Sequence, residues 1–210
     1  MYVQITTACN MRCAHCCYDT SYSGEYMSSD VFDAALKLPR TRCTVDIGGG
    51  EPTIHPNFWE FIDKAQKSNY ETVWIVTNGK KTTDALKLAY LAKIGKIECG
   101  LSQDKWHENI SERVVESFTI PKTSINDKRF IINIGKYHEP IRHGRCDWSN
   151  RISCNVSNKP FVSVDGNIHQ CGCDGSPIVG DVFNGFPKET KWKCYRGLGD
   201  PNRDPRTKVA

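Results

Sequence analysis

Strand-like and helix-like segments alternate along the first two thirds of this 210-residue chain, and that alternation leaves few folds open. Short apolar or alternating runs stand at Tyr2-Val3-Gln4-Ile5-Thr6, Thr44-Val45-Asp46-Ile47, Val73-Trp74-Ile75-Val76, Ile97 to Leu101, and Phe130-Ile131-Ile132-Asn133-Ile134. Between them apolar residues recur at helical spacing. The sets are Val31, Ala34, Ala35 and Leu38; Phe58, Phe61, Ile62 and Ala65; Ala85, Leu88, Ala89 and Ala92; and Ile110, Val114 and Phe118. Asp30 is placed to cap the first helix and Pro39 to stop it. Pro56 suits the first turn of the second helix, and Gly95 the C-cap of the third. Trp59 reads as packing. Such alternation implies a parallel α/β sheet with right-handed crossovers. Five βα steps are too few to close an eight-unit barrel, so the sheet is expected to stay open. In open sheets of this kind, ligands gather at the C-terminal ends of the strands.

The residues that follow the strands carry chemistry. The first strand leads into Cys9-Asn10-Met11-Arg12-Cys13-Ala14-His15-Cys16, three cysteines spaced C-x3-C-x2-C. Three thiolates on one loop can hold three irons of a four-iron–four-sulfur cluster and leave the fourth iron open. Zinc is the competing reading, because it also takes closely spaced cysteines. Cys17 adjoins the motif, breaks its spacing and reads as a bystander. The second strand runs into Gly48-Gly49-Gly50-Glu51-Pro52. Glycines let backbone approach a ligand closely, and a carboxylate beside them can pair with an ammonium group. An ordinary turn explains the glycines but not the Glu-Pro. The third strand ends in Thr77-Asn78-Gly79, in which Asn-Gly is also a plain turn former. The fourth ends in Ser102-Gln103-Asp104-Lys105-Trp106-His107.

Taken together, the cysteine spacing after the first strand and Gly-Gly-Glu-Pro one βα unit later resemble the radical S-adenosylmethionine (SAM) superfamily, over residues 1–135. The resemblance implies a partial, open βα barrel. It implies a four-iron cluster on Cys9, Cys13 and Cys16 whose open iron chelates the amino and carboxylate groups of SAM. It places Gly49, Gly50 and Glu51 at the SAM amino group, Thr77 and Asn78 over SAM, and Ser102 near the ribose. Asp104 and His107 are candidates to face a substrate, or else polar loop residues. The implied reaction is reductive cleavage of SAM to methionine and a 5′-deoxyadenosyl radical, which abstracts a hydrogen atom. A flavodoxin- or ferredoxin-like reductant is implied as electron source.

Beyond about Gly135 the helical pattern stops. An extension over residues 136–195 and a basic tail over 196–210 are expected. Asp165-Gly166 between Phe161–Val164 and Asn167–Gln170 is a strong hairpin signal. The cysteines around it, Cys146, Cys154, Cys171 and Cys194 with Cys173 as rival for one place, resemble the twitch or SPASM extensions that bind an auxiliary iron–sulfur cluster. A zinc knuckle is the alternative for the same thiols. Either metal would help to staple a segment with little hydrophobic sequence.

Eleven cysteines, an odd count, with no export leader and no apolar run of membrane-spanning length, point to metal ligation in a reducing, cytoplasmic setting with no membrane role. Cys43 and Cys99 are expected as small buried apolar residues. The net charge of +4 resides in Lys188–Ala210, where seven basic residues face three acidic ones. Such a tail attracts nucleic acid or an acidic partner, or is a solvated terminus. A peptide or small metabolite is the expected substrate. A nucleobase is the alternative, although no aromatic-plus-basic platform accompanies it. A non-catalytic zinc-binding module and a SAM binder without turnover remain open.

Overall fold

The structure is a computed structural model that describes residues 1–18, 20–39, 43–119, 131–133, 159–173 and 175–190. Cys146, Cys154 and Cys194, and the tail beyond 190, lie outside these residues. Among the described residues one sheet has the order β5-β4-β3-β2-β1-β6-β7-β8. Its strands are β1 (Tyr2–Thr6), β2 (Thr44–Gly49), β3 (Thr72–Thr77), β4 (Glu98–Leu101), β5 (Ile131–Asn133), β6 (Phe161–Val162), β7 (Asn167–His169) and β8 (Ile178–Asp181). Strands β1 to β5 run parallel to one another. Helices α1 (Ser29–Lys37), α2 (Phe58–Lys67) and α3 (Thr82–Lys93) cross between the first four strands, and α4 (Glu112–Ser117) follows β4. The sheet is open, as the count of βα steps requires, and all four motif-bearing loops leave it at one edge.

The helices form for the expected reason with local differences. Phe58, Phe61, Ile62 and Ala65 are all buried on α2, and Ala85, Leu88, Ala89 and Ala92 on α3. The cap of α1 is Ser28 rather than Asp30. Its hydroxyl accepts the Val31 amide at 3.3 Å, and Asp30 sits in the first turn, where a carboxylate favours the helix dipole. Helix α1 buries Phe32, which lies face to face with Phe61 at 4.1 Å, so the stripe is wider than Val31, Ala34, Ala35 and Leu38. Pro56 stands outside α2, whose N-cap is Asn57. Trp59 packs partly against the core and donates to Asp84 at 2.7 Å. Gly95 takes the left-handed φ of +73° that ends α3. Cys99 is fully buried as expected. Cys43 is exposed instead: its carbonyl accepts the Glu71 amide at 2.9 Å at the entry to β2, before the strand dips into the core.

The Asp165-Gly166 hairpin forms between β6 and β7. The Asp165 carboxylate accepts from the Ser163 hydroxyl at 2.5 Å and the Asn167 amide at 3.2 Å, and Gly166 supplies a φ of +87°. β6 pairs parallel to β1 through Tyr2–Phe161 and Val3–Val162. Phe161 stacks on Tyr2 at 5.1 Å, and burial raises the Tyr2 phenol. β1 is therefore an interior strand, held on one side by β2 and on the other by the C-terminal hairpin. Among the described residues no helix is long and apolar enough to cross a membrane.

Candidate cofactor site at the strand ends

The glycines after β2 first of all let the chain touch itself. The Gly50 amide donates to the Thr6 carbonyl at 2.8 Å and the Glu51 amide to the Ala8 carbonyl at 2.9 Å. A Cβ on Gly49, whose φ is +152°, would lie 2.2 Å from the Thr6 carbonyl oxygen, and one on Gly50 would lie 2.1 Å from that of Ala8. Side chains at these positions would separate the Gly-Gly-Glu segment from the start of the cysteine loop.

Glu51 is buried, and its carboxylate is fully engaged within the protein. One oxygen accepts from the Thr53 amide at 3.2 Å, the Thr53 hydroxyl at 2.6 Å and the Thr77 hydroxyl at 2.7 Å. The other accepts the Asn78 amide at 2.7 Å. Burial holds the carboxyl above its ordinary range even so. The side chain thus ties the end of β2 to the end of β3.

The cysteine loop is held from several directions. Asn78 donates through its side-chain amide to the Asn10 side-chain oxygen at 2.8 Å and to the Cys9 sulfur at 3.7 Å. Lys80 donates to the Asn10 carbonyl at 2.8 Å and pairs with Glu108, which accepts the Arg12 amide at 3.4 Å. The Met11 amide points at the Cys9 sulfur at 3.4 Å, and Cys16 meets the Thr20 hydroxyl at 3.3 Å. Burial raises the Cys9 thiol. Burial, and then the charges of Cys9 and Cys16, push the Cys13 thiol up to about 11. Three cysteines on one loop, with the Met11 amide and the Asn78 side-chain amide already aimed at the Cys9 sulfur, fit a thiolate-bound cluster.

At the end of β4 the Ser102 amide donates to the Thr77 carbonyl at 2.8 Å. Asp104 accepts the Trp106 amide at 2.9 Å, contacts His107 Nδ1 at 2.8 Å, and faces His15 Nε2 at 3.4 Å. Burial alone would raise the Asp104 carboxyl, but the His107 and Trp106 hydrogen bonds and the two histidine charges bring it below its ordinary value. His15 packs edge-on against His107 at 4.6 Å and tilted against Trp106 at 5.5 Å. Asp104 and His107 therefore join the cysteine loop through His15. Sequence reasoning passed over His15, Lys80 and Glu108; the position of His15 between two of the loop cysteines was the available signal.

Thr77, Asn78, Glu51, Gly49, Gly50, Ser102 and the three loop cysteines all come together at one edge. The C-terminal Cys-Gly-Cys turn follows β7, which runs antiparallel to β6 and hence to β1, so it leaves the sheet at the opposite end. Cys171 is buried and donates to the Ser176 hydroxyl at 3.5 Å, while Cys173 is half-buried. A Cβ on Gly172 would lie 2.7 Å from the Phe161 ring and 3.4 Å from the Tyr18 hydroxyl.

A sequence model of the radical SAM superfamily matches residues 3–154, and the chain belongs to that superfamily. Membership implies a four-iron–four-sulfur cluster and SAM. The mycofactocin maturase MftC of Mycobacterium tuberculosis (strain CDC 1551 / Oshkosh) is 37% identical over 83 residues, which are 38% of this chain and 21% of that protein. The chain spans roughly a quarter of the length of the curated relatives it matches. In fold it is similar to BtrN, solved with AdoMet and 2-DOIA, with a TM-score of 0.59, 19% identity, and coverage of 87% of this chain and 77% of that one. It is also similar to anSMEcpe, solved with AdoMet and a Cp18Cys peptide, with a TM-score of 0.53, 16% identity, and coverage of 86% and 76%.

Proposed function

We propose that the chain cleaves SAM reductively at a cluster held by Cys9, Cys13 and Cys16 and abstracts a hydrogen atom from a peptide. The observation that carries this reading is the three-cysteine loop bonded, through Asn78 and the Thr6 and Ala8 carbonyls, to the Gly-Gly-Glu segment. When bound, the cluster and SAM supply an electron and a 5′-deoxyadenosyl radical. The protein's part is position and shielding. Gly49 and Gly50 bring their backbone to the cysteine loop, and Glu51 fixes the ends of β2 and β3 so that Thr77, Asn78 and Ser102 border the cofactor. Asn78 and Met11 donate toward the Cys9 sulfur and tune the charge it carries.

A peptide is favoured because anSMEcpe, of similar fold, binds one, and because MftC is named a maturase. A small metabolite is the narrower alternative, in keeping with BtrN. On this reading residues 1–135 form the SAM-binding part and 136–195 an extension in which Cys146, Cys154, Cys171 and Cys194, with Cys173 as rival, hold an auxiliary cluster. The tail from 196 is basic, and a flavodoxin- or ferredoxin-like protein of the cytoplasm delivers the electron.

Anaerobic reconstitution tests this. Wild type should hold about eight irons per chain and a Cys9, Cys13, Cys16 triple-alanine variant about four. Wild type should release 5′-deoxyadenosine from SAM under dithionite, and Cys13→Ala should release none. Undiminished release by Cys13→Ala would refute the loop assignment, and about four irons in wild type with none in the triple variant would remove the auxiliary cluster.

A further inference from the structure

Among the described residues, one set of potential metal ligands converges within 4.8 Å: a ligand atom each from Cys13, His15 and His107. It is not the three-cysteine set. All three members are at least partly buried, and the side chains of His15 and His107 are only 13% and 7% exposed. A tetrahedral zinc ion bonds thiolate and imidazole at about 2.0–2.3 Å, so its ligands stand about 3.3–3.8 Å apart. A contraction of about an ångström, within reach of side-chain rotation, closes the gap. Asp104 supplies what such sites need around them. Its two carboxylate oxygens contact one nitrogen of each histidine ring, at 2.8 Å for His107 and 3.4 Å for His15, and so orient both imidazoles. A carboxylate behind a ligating histidine is the usual support of zinc sites.

We propose that Cys13, His15 and His107 form a three-ligand site for a single zinc-like divalent ion in the cluster-free protein, with Asp104 as its supporting carboxylate. The Cys13 thiol releases its proton to solvent on binding, and a water completes the tetrahedron. Because Cys13 is shared, the ion and the four-iron cluster exclude one another. That exclusivity rests on the proposed cluster assignment; the ion site does not. The arrangement makes zinc occupancy a checkpoint on cluster assembly.

The test uses cobalt(II) as an absorbing stand-in for zinc, added anaerobically to the iron-free full chain. Wild type should bind one equivalent more than His107→Ala or His107→Gln, the latter keeping a donor toward Asp104. That extra equivalent should show thiolate-to-cobalt charge transfer and tetrahedral ligand-field bands. Asp104→Asn should weaken it about ten- to hundredfold. Prior zinc loading should lower later iron uptake by about four per chain in wild type and leave uptake by His107→Gln unchanged. Equal cobalt equivalents and spectra in wild type and both His107 variants would overturn the proposal. A retained cobalt difference with no iron uptake at the loop in zinc-free wild type would keep the ion site and remove the cluster reading instead.

Discussion

The Thr77 hydroxyl donates a 2.7 Å hydrogen bond to the Glu51 carboxylate, so the ends of two neighbouring strands are joined by side chains as well as by the ladder. The same hydroxyl accepts the Gly79 amide at 3.1 Å. Thr77→Val keeps the shape and removes both bonds, leaving a buried carboxylate one donor short. A loss of about 1.5–3 kcal/mol is expected, since the bond is to a charged group. Urea denaturation should show a lower midpoint with an unchanged slope, and Thr77→Ser should recover most of the loss.

Glu51 also sets a pH dependence. Burial raises its folded-state pKa above the ordinary 4.5, so the folded state takes up its proton more readily than the unfolded chain. The stability this contributes is fully present below the unfolded value and is lost as pH rises through the folded one. Wild type should therefore gain stability relative to Glu51→Gln as pH falls from neutral toward 4.5. Denaturation midpoints of both proteins across that window check it, and a difference that grows in the opposite direction contradicts the assignment.

Two glycines should behave in opposite ways. Gly50→Ala places a Cβ 2.1 Å from the Ala8 carbonyl oxygen, a backbone atom that cannot rotate away. Iron loading of the loop and the folded yield should both collapse. Gly95 has a φ of +73° and nothing within 4 Å of its would-be Cβ, so Gly95→Ala should cost only the left-handed strain of about 1–2 kcal/mol and load iron normally.

Asn78→Ala removes a donor 3.7 Å from the Cys9 sulfur and the 2.8 Å bond to Asn10. Hydrogen bonds to cluster sulfur favour the more negative, reduced form. The reduction potential of the reconstituted loop cluster should fall, as read by a redox titration monitored by electron paramagnetic resonance. An unchanged potential would show that Asn78 positions the loop without tuning it.

Much of this arrangement was legible in the chain because each motif immediately follows a strand. Strand periodicity and motif position agree at Cys9, Gly49, Thr77 and Ser102, so the strand ends and the site could be read together. What escaped depends on contacts between residues far apart in sequence. Nothing local at Lys80 or Glu108 announces that they grip the backbone of Asn10 and Arg12. Ser28 and Asp30 are both good capping residues, and only the geometry of the Val31 amide chooses between them. Phe32 fell outside the chosen stripe because its partner, Phe61, lies on another helix. The Asp-Gly turn announced a hairpin, but a two-residue β6 holds too little pattern to name β1 as its neighbour.

The pairing of β6 with β1 also orders events in time. A ribosome delivers β1 and the cysteine loop well before Phe161 and Val162. Until then one edge of the loop's own strand stays unpaired, and the ring that stacks on Tyr2 is missing. Contacts this distant in sequence form slowly. The nascent chain thus presents three thiols in reach of metal well before their supporting strand is closed on both sides, and loading after release meets a better-defined loop than loading during translation.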